Sequence, residues 1–253
     1  MATKTLLELS SEHSGASSKF PIACPEHIIF CLDVCQEMDR ETFTVRSGST
    51  FSPLNLVRKA IAIFMEQKSS CNKNHKYSLV LVHDECSWMV PFTTQHKDIL
   101  NAIDEIPESK AHFGHFTFDC LFKLFKKHVI LPQSPDSTVY RAIFIYGRSN
   151  CMLRSLCDSP ERKEFLESAN FYIDAIYIHN KLVENAENNK CEEIYRELCD
   201  LDKEGKYYIF EVSGNTTKFF TIFAKLIAHP RQRAQESIAF KKSILDITLD
   251  EEV

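Results

Sequence analysis

Ile28-Ile29-Phe30-Cys31-Leu32-Asp33-Val34-Cys35-Gln36-Glu37 is the stretch that decides how this chain is read. From Ile28 to Leu32 every residue is apolar, as in a strand buried on both faces of a parallel sheet, and the run ends in Asp33. Side chains just past the carboxyl end of such a strand point into the crevice where α/β sheets bind their ligands. Asp33 and Glu37 offer oxygen to a divalent cation there. Cys35, between them, puts a thiol where a hard cation wants oxygen or water. The stretch predicts a strand ending in a crevice whose candidate donors, Asp33, Cys35 and Glu37, suit a hard cation poorly, so neither a metal nor a cofactor is assigned.

Outward from this strand, short runs rich in branched and aromatic residues predict further strands at 77–83, 141–146, 171–178 and 207–212. Residues 87–92 read as an edge strand in a hairpin with the one before. Between them lie helices. Ser52-Pro53 opens the first, with Leu54, Val57, Ile61, Phe64 and Met65 at helical spacing. Thr94 is placed as the cap of a helix running to Ile106, and further helices are expected over 118–128, 159–168, 187–201 and 217–228. In the last, Phe220, Phe223, Ala224 and Ile227 are expected to form the buried stripe. Strand and helix alternating in this way predict an α/β fold with a doubly wound, mostly parallel sheet. The domain is placed at 23–229, after a disordered segment at 1–22 and before a partner-docking tail at 230–253.

Composition narrows the function. The net charge of −5 argues against nucleic acid as the main ligand, since phosphate binding needs a basic face. No apolar run approaches the roughly 18 residues that cross a bilayer, and Met1–Leu9 is too short an apolar start for a signal peptide. Ten cysteines without a Cys-x-x-Cys pair read as free thiols in a reducing compartment, with Cys31, Cys71, Cys86, Cys120 and Cys199 expected to be buried. The six glycines are too scattered for a phosphate-cradling loop or a nucleophile elbow.

Other chemistry-bearing residues carry less. His112-x-x-His115 near Cys120, and His83 with Asp84 and Cys86, lack the paired spacing of a zinc site. Cys35 is well placed for a helix terminus to activate it, but a bystander thiol is the preferred reading. Lys123, Lys126, Lys127 and His128, with Arg148 and Arg154 nearby, read as a solvated basic face. Pro230-Arg231-Gln232-Arg233 follows the last helix. There proline fixes an extended backbone, and Arg233 can fork onto a carboxylate. Ile238 and Phe240 further on are apolar residues outside the repeating pattern and in need of cover.

Several stretches together resemble a known family. They are Cys24-Pro25-Glu26 leading into the Asp33 strand, Glu37-Met38, Phe116 to Phe122, Tyr140-Arg141-Ala142-Ile143 with Tyr146, Asp174 to Asn180, and Ala224 to Pro230 with Gln232-Arg233. Over about 22–240 the chain resembles the MERIT-forty family, the von Willebrand A-like scaffold subunits of the BRISC and BRCA-one A deubiquitinase complexes. In von Willebrand A domains the first strand ends in Asp-x-Ser-x-Ser, which helps bind Mg²⁺. Cys35 and Glu37 stand at the two serine positions here, and Gly147-Arg148-Ser149 follows the 141–146 strand where a further acid is expected. His115 or Thr117 falls at the threonine position.

The resemblance implies a non-catalytic subunit that binds a BRE-like partner with UEV domains. Through the assembly it would meet a JAMM-type zinc deubiquitinase, specific for lysine-sixty-three-linked ubiquitin, and an Abraxas-type subunit. It also implies a place in cytoplasm and nucleus, with a DNA-damage role in the second complex, and a docking motif at Pro230 and Arg233. The competing expectation is a metal-dependent ligand-binding domain using Asp33 and Glu37.

Overall fold

The computed structural model describes residues 24–45, 47–107, 116–134, 137–154, 159–179, 190–202 and 204–233. In chain order the strands are β1 (Glu26–Asp33), β2 (Phe43–Thr44), β3 (Thr50–Phe51), β4 (Lys76–Val82), β5 (Cys86–Thr93), β6 (Phe116–Thr117), β7 (Val139–Tyr146), β8 (Leu153–Arg154), β9 (Phe171–Ile178) and β10 (Ile209–Val212). The α-helices are α1 (Pro53–Cys71), α2 (His96–Asp104), α3 (Phe118–His128), α4 (Pro160–Glu167), α5 (Cys191–Cys199) and α6 (Thr216–Leu226).

Six strands form the central sheet in the order β10-β9-β7-β1-β4-β5. All neighbours are parallel except the β4–β5 hairpin, which carries β5 at the edge. β1 therefore lies between two strands, and its continuous apolar run is what two covered faces require. Ile28, Phe30 and Leu32 face a core shared with α1, α2 and α6, while Ile29 and Cys31 face one shared with α3, α4 and α5. The expected doubly wound α/β sheet is the fold observed. No helix among the described residues is long and apolar enough to cross a membrane.

The helix starts follow local chemistry. Ser52 Oγ accepts from the Asn55 N–H at 3.3 Å, with Pro53 at the first helical position, and Ser159 does the same for Arg162 ahead of Pro160. Asn215 caps α6 through the Lys218 N–H at 2.8 Å.

Three local expectations need correction. α2 begins after Gln95, and it is Thr93 whose hydroxyl turns inward to the Gln95 N–H and Asp98, so Thr94 is not its cap. In α6 the buried stripe is Phe219, Ile222, Phe223 and Leu226, while Phe220 and Ile227 are half-buried and Ala224 is exposed. Thr217, Lys218, Thr221 and Lys225 mark the opposite, polar side, and the apolar arc between is wide enough that Phe220 and Ile227 fall at its margin. Of the cysteines expected inside, Cys31 is buried, Cys86 and Cys120 are half-buried, and Cys71 and Cys199 are exposed.

Candidate functional site

β1 delivers Asp33 to the carboxyl end of the sheet, fully buried, and β7 delivers Gly147 and Arg148 beside it. The Gly147 N–H donates to Asp33 Oδ2 at 3.0 Å. Arg148 Nε donates to both Asp33 oxygens at 3.1 and 3.2 Å, and its Nη2 donates to Oδ1 at 3.0 Å. Nη2 also donates to the carbonyls of Val82 and His83, at 3.4 and 2.6 Å. The guanidinium lies within 6 Å of the rings of Phe116 and Tyr146 and is 2% exposed. Burial works against its charge, but Asp33 outweighs burial and raises the Arg148 pKa above that of a free arginine.

This is a crevice filled by a resident cation. Arg148 places its positive charge on the carboxylate that a bound metal would share, and its fork satisfies both oxygens at once. Glu37 is also engaged, accepting from the Ser149 N–H at 2.9 Å and from the Ser149 hydroxyl. Both oxygen donors of the metal-dependent alternative are thus bound to this chain's own groups. Arg148 also departs from expectation, since it belongs to the interior and not to a solvated basic face. Cys35 is buried, and burial together with Asp33 and Glu37 pushes its thiol up, so at neutral pH it is no nucleophile.

Thr117 directly precedes α3 without capping it. Asp84 lies 4.0 Å from Arg148. His112 and His115 lie outside the described residues, among which no cluster of three metal-ligating side chains occurs. Of the basic run on α3, Lys126 pairs with Glu164 on the surface and His128 stacks on Trp88.

A second charged cluster occupies the opposite end of the sheet. Glu26 of β1, Arg141 of β7 and Asp174 of β9 are all fully buried, and Lys68 of α1 reaches in to Glu26. Arg141 donates from Nε to Asp174 at 2.7 Å and from Nη1 to the Leu226 carbonyl, also at 2.7 Å. Burial pushes the Glu26 carboxyl up, but Arg141 and Lys68 outweigh it and hold it below the usual range. Asp174 is held down in the same way by Arg141 and Arg233.

Arg233 forks onto this chain's own Asp174, from a turn in which the Gln232 and Arg233 N–H groups donate to the His229 carbonyl, so the backbone after Pro230 is folded back and not extended as expected. Nη1 donates to Oδ2 at 2.9 Å and Nη2 to Oδ1 at 2.5 Å, the guanidinium lies 4.0 Å over the Tyr208 ring, and the side chain is 3% exposed. Pro230 is buried, and Arg231 reaches Asn170 and the Ala169 carbonyl. The packed segment therefore runs through Arg233, four residues past the expected boundary at 229. Ile238 and Phe240 lie outside the described residues.

His229, at the start of this strap, is held near about 4 mainly by burial, and His27 likewise. Both are therefore neutral in the folded chain at pH 7, while the unfolded chain protonates near 6.5. As pH falls from 6.5 towards 4, the unfolded state takes up protons that the folded state refuses, so stability drops across that window. The depressed carboxyls of Glu26 and Asp174 extend the loss below it. Urea midpoints at pH 7, 5.5 and 4.5 are expected to fall steadily, and a flat midpoint would contradict this protonation assignment.

Known proteins resemble this chain in sequence and in fold. The chain is 30% identical over 226 residues to BRISC and BRCA1-A complex member 1 of Danio rerio, covering 86% of this chain and 60% of that protein. To the proteins of the same name from Homo sapiens and Xenopus tropicalis it is also 30% identical, covering 68% and 70% of their lengths. No protein-family model matches. Among solved structures, a von Willebrand factor type A protein from Catenulispora acidiphila aligns with TM-score 0.54 and 11% identity, over 84% of this chain and 44% of that one. BatB from Bacteroides thetaiotaomicron aligns with TM-score 0.53 and 14% identity, over 80% and 97%.

Proposed function

Because this chain belongs to the BRISC and BRCA1-A complex member 1 family, we propose that it is a non-catalytic scaffold subunit of a BRISC-type deubiquitinase complex, and of a BRCA1-A-type complex in the DNA-damage response. The observation that carries this reading is the Arg148 guanidinium seated on both oxygens of Asp33. A von Willebrand A crevice filled by its own arginine keeps its shape and gives up metal-dependent ligand capture, as suits a subunit that works by contact.

In this reading the chain binds a BRE-like UEV-domain partner. Through it the chain joins a JAMM-type zinc deubiquitinase, specific for lysine-sixty-three-linked ubiquitin, and an Abraxas-type subunit, in cytoplasm and nucleus. Pro230, Arg231 and Arg233 fix the root of the docking tail, and Ile238 and Phe240 beyond them supply apolar anchors of the kind that fill partner grooves.

The test is affinity capture of the full chain from its own cells, beside a version ending at Arg233 that keeps the packed strap intact. The full chain is expected to bring down a JAMM protease and lysine-sixty-three-linkage cleavage, and the shortened chain to recover both at least several-fold less. A lone, inactive full chain would overturn the scaffold reading. Equal recovery by both versions would remove the tail from docking.

A further inference from the structure

Cys86 and Cys120 meet beside the β4–β5 turn that Arg148 holds through the His83 carbonyl. Cys86 is the first residue of β5 and Cys120 the third of α3, and both are half-buried. Their sulfurs lie 2.8 Å apart, about 0.75 Å beyond a disulfide bond of roughly 2.05 Å.

The two thiols are not equivalent. Cys120 lies in the first turn of an 11-residue helix, where the N-terminal end of the macrodipole favours a thiolate. The hydrogen bond between the two sulfurs holds the Cys120 thiol below its usual range against burial, with Glu85 opposing the shift and Arg148 favouring it. Cys86 is pushed up, first by its bond to Cys120 and then by burial. The other described cysteines are either exposed, as Cys71 and Cys199 are, or buried, as Cys31 and Cys35 are.

We propose that Cys86 and Cys120 form a hydroperoxide-responsive dithiol site, with Cys120 the attacking thiolate and Cys86 the resolving thiol. The Cys120 sulfur attacks one oxygen of a hydroperoxide, so an S–O bond forms and the O–O bond breaks. The departing alkoxide or hydroxide takes a proton from solvent and leaves as alcohol or water. The Cys86 sulfur then attacks the Cys120 sulfenic acid. An S–S bond forms, the S–O bond breaks, and hydroxide combines with the Cys86 proton as water. The two thiols lose two electrons and the peroxide gains them. The product staples the β4–β5 turn to α3, next to the His83 carbonyl that Arg148 holds.

The test uses the full chain treated with equimolar hydrogen peroxide, then denatured in N-ethylmaleimide, digested without reductant and mapped by mass spectrometry. A Cys86–Cys120 linked peptide, lighter by two hydrogens than the separate thiols and lost on adding dithiothreitol, is expected to exceed any other cross-link severalfold. In Cys86→Ser, Cys120 is expected to be trapped by dimedone as the sulfenic acid. In Cys120→Ser, Cys86 is expected to remain a thiol. Recovery of both cysteines of the wild-type chain as maleimide adducts while Cys71 or Cys199 is oxidised would overturn the proposal. So would cross-links scrambled among several cysteines. The wild-type result stands whether or not either variant folds.

Discussion

Arg148→Ala is expected to lower the unfolding free energy by about 3–5 kcal/mol, the usual cost of stripping one partner from a buried ion pair. Asp33 has no exposure of its own, and after the substitution its charge would keep one neutral donor, the Gly147 N–H. The guanidinium also ties down the Val82 and His83 carbonyls, so its loss frees the β4–β5 turn as well. Arg148→Lys is expected to recover only part of the loss, because an ammonium cannot fork onto two oxygens. The double change Arg148→Met with Asp33→Asn removes both charges and is expected to cost much less than either single change. Urea unfolding at pH 7 measures all three. A loss below about 1 kcal/mol for Arg148→Ala would place the pair at an exposed site, where such pairs contribute little.

Asp174→Ala is expected to be comparably severe, about 3–5 kcal/mol, because it strips Arg141 and Arg233 of one shared carboxylate. It also takes the acceptor from the Tyr208 N–H at 2.8 Å. Arg233→Ala should cost less, about 1–3 kcal/mol, since Asp174 then keeps Arg141 and Tyr208. The two variants share a local signature, the release of residues 230–233 from the sheet. Trypsin under native conditions is expected to cut after Arg231 rapidly in both variants and slowly in the wild type. Equal protection in all three would mean that Asp174 does not hold the strap.

The sheet was legible in the sequence because its strands are buried on both faces. β9 falls on the expected 171–178 and α3 on 118–128. The face of α6 was legible only in outline: Thr217, Lys218, Thr221 and Lys225 mark its polar side, yet Phe220 and Ile227 at the margin of the buried stripe are as apolar as its centre. Asp33 and the crevice were recognisable from the end of one apolar run. Arg148 was misread because its partner lies 115 positions earlier, and a loop arginine is ordinarily solvated. The available signal was the reversal of charge itself, since an arginine at a place that calls for a metal-binding acid is the residue that makes the metal unnecessary. Arg141 and Asp174 offered a similar signal, as charges set within otherwise apolar strands must find each other. That Arg233 completes their network could not be read, because nothing in a tail's composition says which carboxylate it meets.

The strap that ends at Arg233 and the Arg148 fork hold the chain at two separate places. Asp33 and Glu26 stand at opposite ends of β1, on the order of 23 Å apart at about 3.3 Å per residue. The Arg233 fork is anchored towards the Glu26 end, through Asp174 and Arg141, while the Arg148 fork closes the Asp33 end. Far enough apart not to share a partner, the two networks are expected to weaken the chain additively when one residue of each is replaced together.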